Sequence, residues 1–428
     1  MTEPAQLRRR QRSRFRMPAV ALILSGSLVG QGLVIAVSPL LTRLYRPEDF
    51  GALAVVTAIG SVIGAGATAG TDRALIVARD DRAVRALVWI GTLTAAVVGA
   101  ATAVAAWVTR ASSAELFGTS VLTVYWWILP TTVVAVAAQR IASSLLARAE
   151  RHRAIGVRNA VQGIGQTIWN VLGATAGPIG LVGGVAVGRI VAVVGVGVGL
   201  ARPRRSTRTA LRGAVADHRR FLLLTPCSAV ANVLGQQAPS LLLAALHGAS
   251  AAGFVALTMR VLGAPVGVLA DAVAQYAAGA FGRLVRSGDP LAPLVTRLVS
   301  RLSIAGAAGV VLVMTVGPAA FETLFGEQWS VSGEYARILV PAFAVQVAVS
   351  PLTQLLAMVG RQTVQLLWDV MRLVLASAAV AVPSLLGAPM PIVLGSLAGA
   401  MVAAYGTMLA LVIGTVRRQS SAHSTSNM

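Results

Sequence analysis

Residues 8–41 read RRRQRSRFRMPAVALILSGSLVGQGLVIAVSPLL: six arginines, Arg8, Arg9, Arg10, Arg12, Arg14 and Arg16, lead into an apolar run from Pro18 to Leu41. One bilayer crossing takes about 20 residues. The run is too long for the core of a cleaved signal peptide and has no A-x-A-type exit. It reads as a retained first helix whose basic tail stays in the cytoplasm.

Outward from that run, apolar stretches recur at about 51–70, 86–109, 120–139, 159–177, 180–200, 221–246, 251–278, 302–320, 336–358, 364–386 and 391–416. No period-2 alternation competes with them, which argues against a transmembrane barrel. The composition agrees: 56 % of the 428 residues are hydrophobic, enough for roughly twelve crossings. Charged residues make up 12 %, about half the share in a soluble chain. The expected fold is therefore an all-α integral membrane protein with both termini in the cytoplasm.

The net charge of +21 is carried by 36 basic residues, all of them arginine. Lysine-free, Ala- and Gly-rich usage points to a GC-rich bacterial genome; the expected location is the bacterial cytoplasmic membrane. With the N-terminus inside, the cytoplasmic segments hold 29 arginines and the opposite loops hold 4, Arg43, Arg46, Arg110 and Arg337. That asymmetry is the positive-inside pattern rather than a phosphate-binding face, so nucleic acid is not an expected partner. The long cytoplasmic stretch 201–220 divides the chain. The expected organisation is a basic tail at 1–17, six-helix lobes at 18–200 and 221–416, and a disordered Ser-rich tail at 417–428. Gly30-Gln31 answers Gly235-Gln236, and Leu44 to Gly51 answers Leu246 to Gly253. Because the repeat step is an even number of helices, the lobes should be related by an axis along the membrane normal.

Several segments carry a family resemblance. The stretch PLLTRLYRPEDFG at 39–51 resembles the first periplasmic loop of the bacterial polysaccharide-biosynthesis flippases, in the multidrug/oligosaccharidyl-lipid/polysaccharide exporter superfamily. DRALIVARDD at 72–81, GPIGLVGG at 177–184, GFVALTMRVLGAP at 253–265 and FGEQWSVSGEYARILVP at 325–341 follow in the same order. The resemblance implies a flippase that moves a polyprenyl-pyrophosphate-linked oligosaccharide between leaflets by alternating access, for cell-surface polysaccharide synthesis. Its implied partners are that glycan lipid, membrane lipids, a polysaccharide polymerase and glycosyltransferases. The helices over 18–70 and 221–278 would line the cavity. A peptidoglycan-precursor flippase or an ion-coupled small-molecule exporter of the same fold are the alternatives.

An arginine deep in a span normally faces a cavity or a partner. Arg260, about nine residues into the eighth span, could grip a pyrophosphate through charge-assisted hydrogen bonds, or fix packing. Arg189 in the sixth span is a second substrate candidate, with packing or snorkelling as its other reading. Arg372 stands three residues after Asp369, where the two can neutralise each other. Gln31, Asn232 and Gln236 could read sugar hydroxyls, whereas helix-to-helix hydrogen bonds would equally satisfy them and Asn170 or Gln237. Asp72 with Arg73 could form an inner-gate pair, and Asp271 could meet a coupling ion or a closing gate; both carboxylates could also be solvated helix ends. Trp329, amid Glu322, Glu327 and Glu334, reads as an interfacial anchor.

Catalysis finds no support in these residues. Asp80-Asp81 lacks the third carboxylate of a prenyl-transferase motif, and His152, His218, His247 and His423 are scattered. No phosphate-binding G-x-x-x-x-G-K-[ST] loop occurs. Cys227 is the single cysteine, so no disulfide or cysteine-based metal site is expected. No cofactor and no metal are expected.

Overall fold

A computed structural model describes residues 17–78, 80–197, 207–287, 292–352 and 362–426, and among them the secondary structure is helical without a strand. In chain order the helices are α1 (Met17–Ala36), α2 (Ser38–Leu44), α3 (Pro47–Gly66), α4 (Thr71–Val77), α5 (Asp81–Val108), α6 (Arg110–Phe117), α7 (Val121–Val124) and α8 (Ile128–Arg148). They continue as α9 (His152–Leu172), α10 (Pro178–Gly197), α11 (Arg208–Ser287), α12 (Ala292–Phe325), α13 (Ser330–Val349), α14 (Gln362–Leu385) and α15 (Met390–Ser426).

Nine helices among the described residues are long and apolar enough to cross a membrane. One of these, Thr225–Gly267, runs for 43 residues, twice what a crossing needs. It is divided at Gly248, whose backbone sits at φ 80° and ψ 172°, a conformation that a residue with a Cβ rarely adopts. With α1 and α9, of 20 and 21 residues, the bundle holds about twelve crossing helices in two sets of six. The chain is a multi-pass membrane protein.

Local chemistry starts the helices where they start. Pro47 opens α3, and the Asp49 carboxylate accepts from the Arg46 backbone N–H at 2.9 Å, satisfying an amide that the helix leaves free. Asp80 caps α5 by accepting from the Ala83 N–H at 2.6 Å. Alternate connections then gather at one end of the bundle. The Tyr45 phenol donates to the Asn170 carbonyl at 2.7 Å. His247 and Ser384 share a hydrogen bond of 2.8 Å, and Gly118 lies against Gly248 and Ala249. Burial, and then the Asp49 charge, push the Tyr45 phenol up to about 12, so it stays a donor at any physiological pH.

Glycines set the spacing within each half. A Cβ on Gly30 would overlap the Asn159 carbonyl, and one on Gly163 would overlap Gly30, so α1 and α9 pack backbone to backbone. In the second half, Gly235 faces Leu373 and Arg372 of α14. The first and fifth crossings of each half thus meet at the glycine that the repeat pairs.

Two expectations are corrected. The stretch 120–139 is not one span: Val121–Val124 makes a single turn, and the crossing helix runs from Ile128 to Arg148. Pro130, near its start, suits the first turn, where its missing N–H leaves no gap. Arg140 therefore lies inside the bundle and not in a loop. At the other end α15 continues as a helix to Ser426, although 417–428 was expected to be disordered; after Gly414 the chain has neither Gly nor Pro to stop it. The basic tail 1–16 and the stretch 198–206 of the inter-lobe connection lie outside the described residues.

Candidate functional site

A cavity of about 340 Å³ opens between α1, α8, α9 and the second half of α11. Gln31, Gln139, Asn159, Gln162 and Gln166 supply amides to its wall, and Arg260 supplies the one charge among its lining residues. Two of the residues singled out in the sequence, Gln31 and Arg260, are brought together here from opposite halves. Arg260 also donates through Nη2 to the Val34 carbonyl of α1, at 3.4 Å. The described lining residues include no carboxylate, histidine, hydroxyl or thiol. Such a wall can donate to anionic oxygens and exchange hydrogen bonds with hydroxyls, but it holds no acid–base pair.

Behind that wall lies a polar layer in the first half. Arg189 donates through Nε to Gln139 Oε1 at 2.9 Å, and Gln139 Nε2 donates to Gln162 Oε1 at 2.7 Å. The Arg158 guanidinium reaches Asn159 Oδ1 at 2.6 Å and also Ser143. The Asn170 amide nitrogen turns toward the carbonyls of Gln166, Gly180 and Leu181 at 3.1–3.3 Å, so this residue ties helices together.

Asp72 is buried, and its partner is not its neighbour. Its carboxylate accepts from Arg140 Nη2 at 2.7 Å and Nε at 3.1 Å, and from Thr68 Oγ1 at 2.9 Å. Arg73 is exposed on the other side of α4. The expected Asp72–Arg73 pair is corrected to Asp72–Arg140, because successive residues on a helix do not face each other.

Elsewhere the sequence candidates stay apart from the cavity. Gln236 and Asn232 are exposed and bond to each other at 3.4 Å along one helix. Asp369 and Arg372 do pair, at 3.6 Å, with the guanidinium 4.9 Å over the Trp368 ring. Asp271 falls on the α11 backbone, with its side chain outside the described residues. Among the described residues, no three His, Cys, Asp or Glu side chains are placed to hold a metal.

Trp329 overturns the interfacial reading: its side chain is 0 % exposed. Its indole N–H donates to the Thr42 carbonyl at 3.1 Å, as does Gln328 Nε2 at 3.0 Å. Phe50 and Phe254 pack edge-on against the ring, with centroids 4.9 and 5.5 Å away. Beside this plug the halves meet through backbone. A Cβ on Gly51 would overlap the Ala249 carbonyl, and a Cβ on Gly253 would overlap the Pro47 carbonyl. Gly51 and Gly253, like Pro47 and Ala249, are repeat equivalents, so the contact is reciprocal. The bundle is closed at this end.

The geometry has counterparts. A family model described as polysaccharide biosynthesis protein matches residues 40–334. Among solved structures, a lipid II flippase, MurJ, in an inward closed conformation is similar at a TM-score of 0.73 and 12 % identity, covering 92 % of this chain and 88 % of that one. An inward-facing multidrug resistance MATE family transporter of the MOP superfamily is similar at 0.62 and 13 %, covering 96 % and 97 %. A MOP superfamily transporter from Pyrococcus furiosus, described by the reversed polarity of its binding pocket, is similar at 0.57 and 11 %, covering 94 % and 96 %. At these identities the likeness establishes the fold. No curated protein matches the sequence.

Proposed function

The chain belongs to the polysaccharide biosynthesis protein family, and on that premise we propose that this MOP-fold transporter flips a polyprenyl-pyrophosphate-linked oligosaccharide across the cytoplasmic membrane by alternating access. One observation carries the reading: the inter-half cavity presents Arg260 and five amides, with no carboxylate among its described lining residues. A pyrophosphate offers acceptor oxygens to such donors, and the amides can exchange hydrogen bonds with a glycan. A cation exporter would need acidic groups there. With the arginine-rich tail inside, the end closed by Trp329 faces outward and the cargo enters from the cytoplasmic leaflet. The working surroundings are then membrane lipids, the glycosyltransferases that build the glycan and the polymerase that consumes it.

The test uses the purified protein in liposomes with a fluorescent polyprenyl-pyrophosphate glycan, scoring label that changes leaflet. Loss of a charge-assisted hydrogen bond of about 1.5 kcal/mol lowers transport by Arg260→Ala about tenfold. Arg260→Lys should keep an intermediate rate, because it retains the charge without the fork. Equal rates for all three proteins would remove Arg260 from the site, and no crossing above protein-free vesicles would sink the cargo assignment.

A further inference from the structure

An uncharged amide wall is ambiguous, because each glutamine can turn either its oxygen or its NH2 toward a ligand. In this cavity the ambiguity is removed from behind. Guanidinium groups only donate, so the Gln139 atom that faces Arg189 Nε at 2.9 Å must be oxygen. With its oxygen held there, Gln139 turns its NH2 to Gln162, whose oxygen accepts it at 2.7 Å. With that oxygen turned to Gln139, the Gln162 amide is held in one orientation, and its NH2, for which no protein acceptor is seen among the described residues, is the group left to donate to a ligand. The relay crosses three helices, from Arg189 on α10 through Gln139 on α8 to Gln162 on α9. Gln139 and Gln162 both line the cavity, and Arg260 donates from the opposite half.

We propose that Arg189 is a positioning residue that fixes the polarity of the Gln139–Gln162 relay, so that the first-half wall of the cavity donates and the site selects an anionic headgroup. The inference rests on the cargo reading above and adds to it where selectivity originates. Arg189 reaches the ligand only through the two amides. Its removal frees both glutamines to invert, and the wall then offers acceptors as readily as donors. Gln162→Glu imposes the inversion directly: a carboxylate still accepts from Gln139 but presents only acceptors to the cavity.

Two measurements on the full chain in lipid nanodiscs test this. The first needs no ligand. With ¹⁵N-labelled glutamine side chains, assigned through Gln139→Met and Gln162→Met, the resonances of both amides should move in Arg189→Leu and stay near their wild-type positions in Arg189→Lys. Unmoved resonances in Arg189→Leu would overturn the relay. The second is binding of polyprenyl pyrophosphate. Arg189→Leu and Gln162→Leu should each weaken it about fivefold, one hydrogen bond's worth, and the double variant should be no weaker than the worse single one. Arg189→Lys should recover most of the affinity. Losses that multiply in the double variant would show that the two residues act separately and would overturn the proposal. Shifted resonances in Arg189→Leu together with no binding by the wild-type protein would support the relay and overturn the cargo reading instead.

Discussion

Gly253→Leu should leave the Trp329 end of the bundle open. A Cβ at this position would overlap the Pro47 carbonyl and meet the Gly51 nitrogen at 3.0 Å. Both obstacles are backbone atoms at the start of α3, so no side chain can rotate away. Overpacking of this kind costs about 3 kcal/mol, and here the cost falls on the closed state alone. The closed-to-open ratio should drop by roughly a hundredfold. Gly51→Leu should do the same through the Ala249 carbonyl. Ser38→Cys, at a position that is 0 % exposed and whose hydroxyl donates to the carbonyl of the cavity-lining Val34, reports the state in a Cys227→Ser background. It should resist a membrane-impermeant maleimide added from the side of the Trp329 plug in the parent and react quickly in either glycine variant, while transport collapses. Continued protection in both variants would mean that the glycine seam does not hold the gate.

Asp72→Asn should cost stability before it costs transport. The wild-type carboxylate accepts from two Arg140 nitrogens and from Thr68, and its side chain is 8 % exposed. Neutralising it leaves Arg140, 28 % exposed, without its counter-charge, at about 3 kcal/mol. The folded fraction after detergent extraction should fall sharply and the melting midpoint by several degrees. Asp72→Asn combined with Arg140→Leu should recover part of the loss, since removing both charges removes the unpaired one. Arg73→Ala, on the exposed side of α4, should stay within about 0.5 kcal/mol of wild type. A wild-type melting curve for Asp72→Asn with an altered ion dependence of transport would restore a gating role to the carboxylate.

The helices were legible in the sequence because membrane thickness fixes their length and apolarity independently of what they pack against. The helical fold and the placement of Arg260 in a span followed from that signal, whereas the family came from the resemblance of the motifs at 39–51, 72–81, 177–184, 253–265 and 325–341. What failed was whatever depends on contacts between distant segments. Arg140 counted as a loop arginine because Val121 to Trp127 is apolar enough to be framed as membrane core, which shifted the fourth helix toward the N-terminus. Trp329 has the look of an interfacial indole locally, and only the Thr42 carbonyl and two phenylalanines from separate segments make it a plug. The cavity amides did leave a trace: Asn159, Gln162 and Gln166 recur at helical spacing along one face of an apolar stretch. Read as a stripe rather than as single residues, they mark the wall that Gln31 alone did not.

The glycine seam at the closed end also bears on how such a chain could arise. Gly51 meets Ala249 and Gly253 meets Pro47, the relation that two identical subunits make across a two-fold axis. A half-length ancestor with one glycine and one small partner residue would have formed this contact twice simply by dimerising. Gene fusion would then have inherited a working closure, leaving only the interior of each half free to diverge toward different roles, an arginine on one side and glutamines on the other.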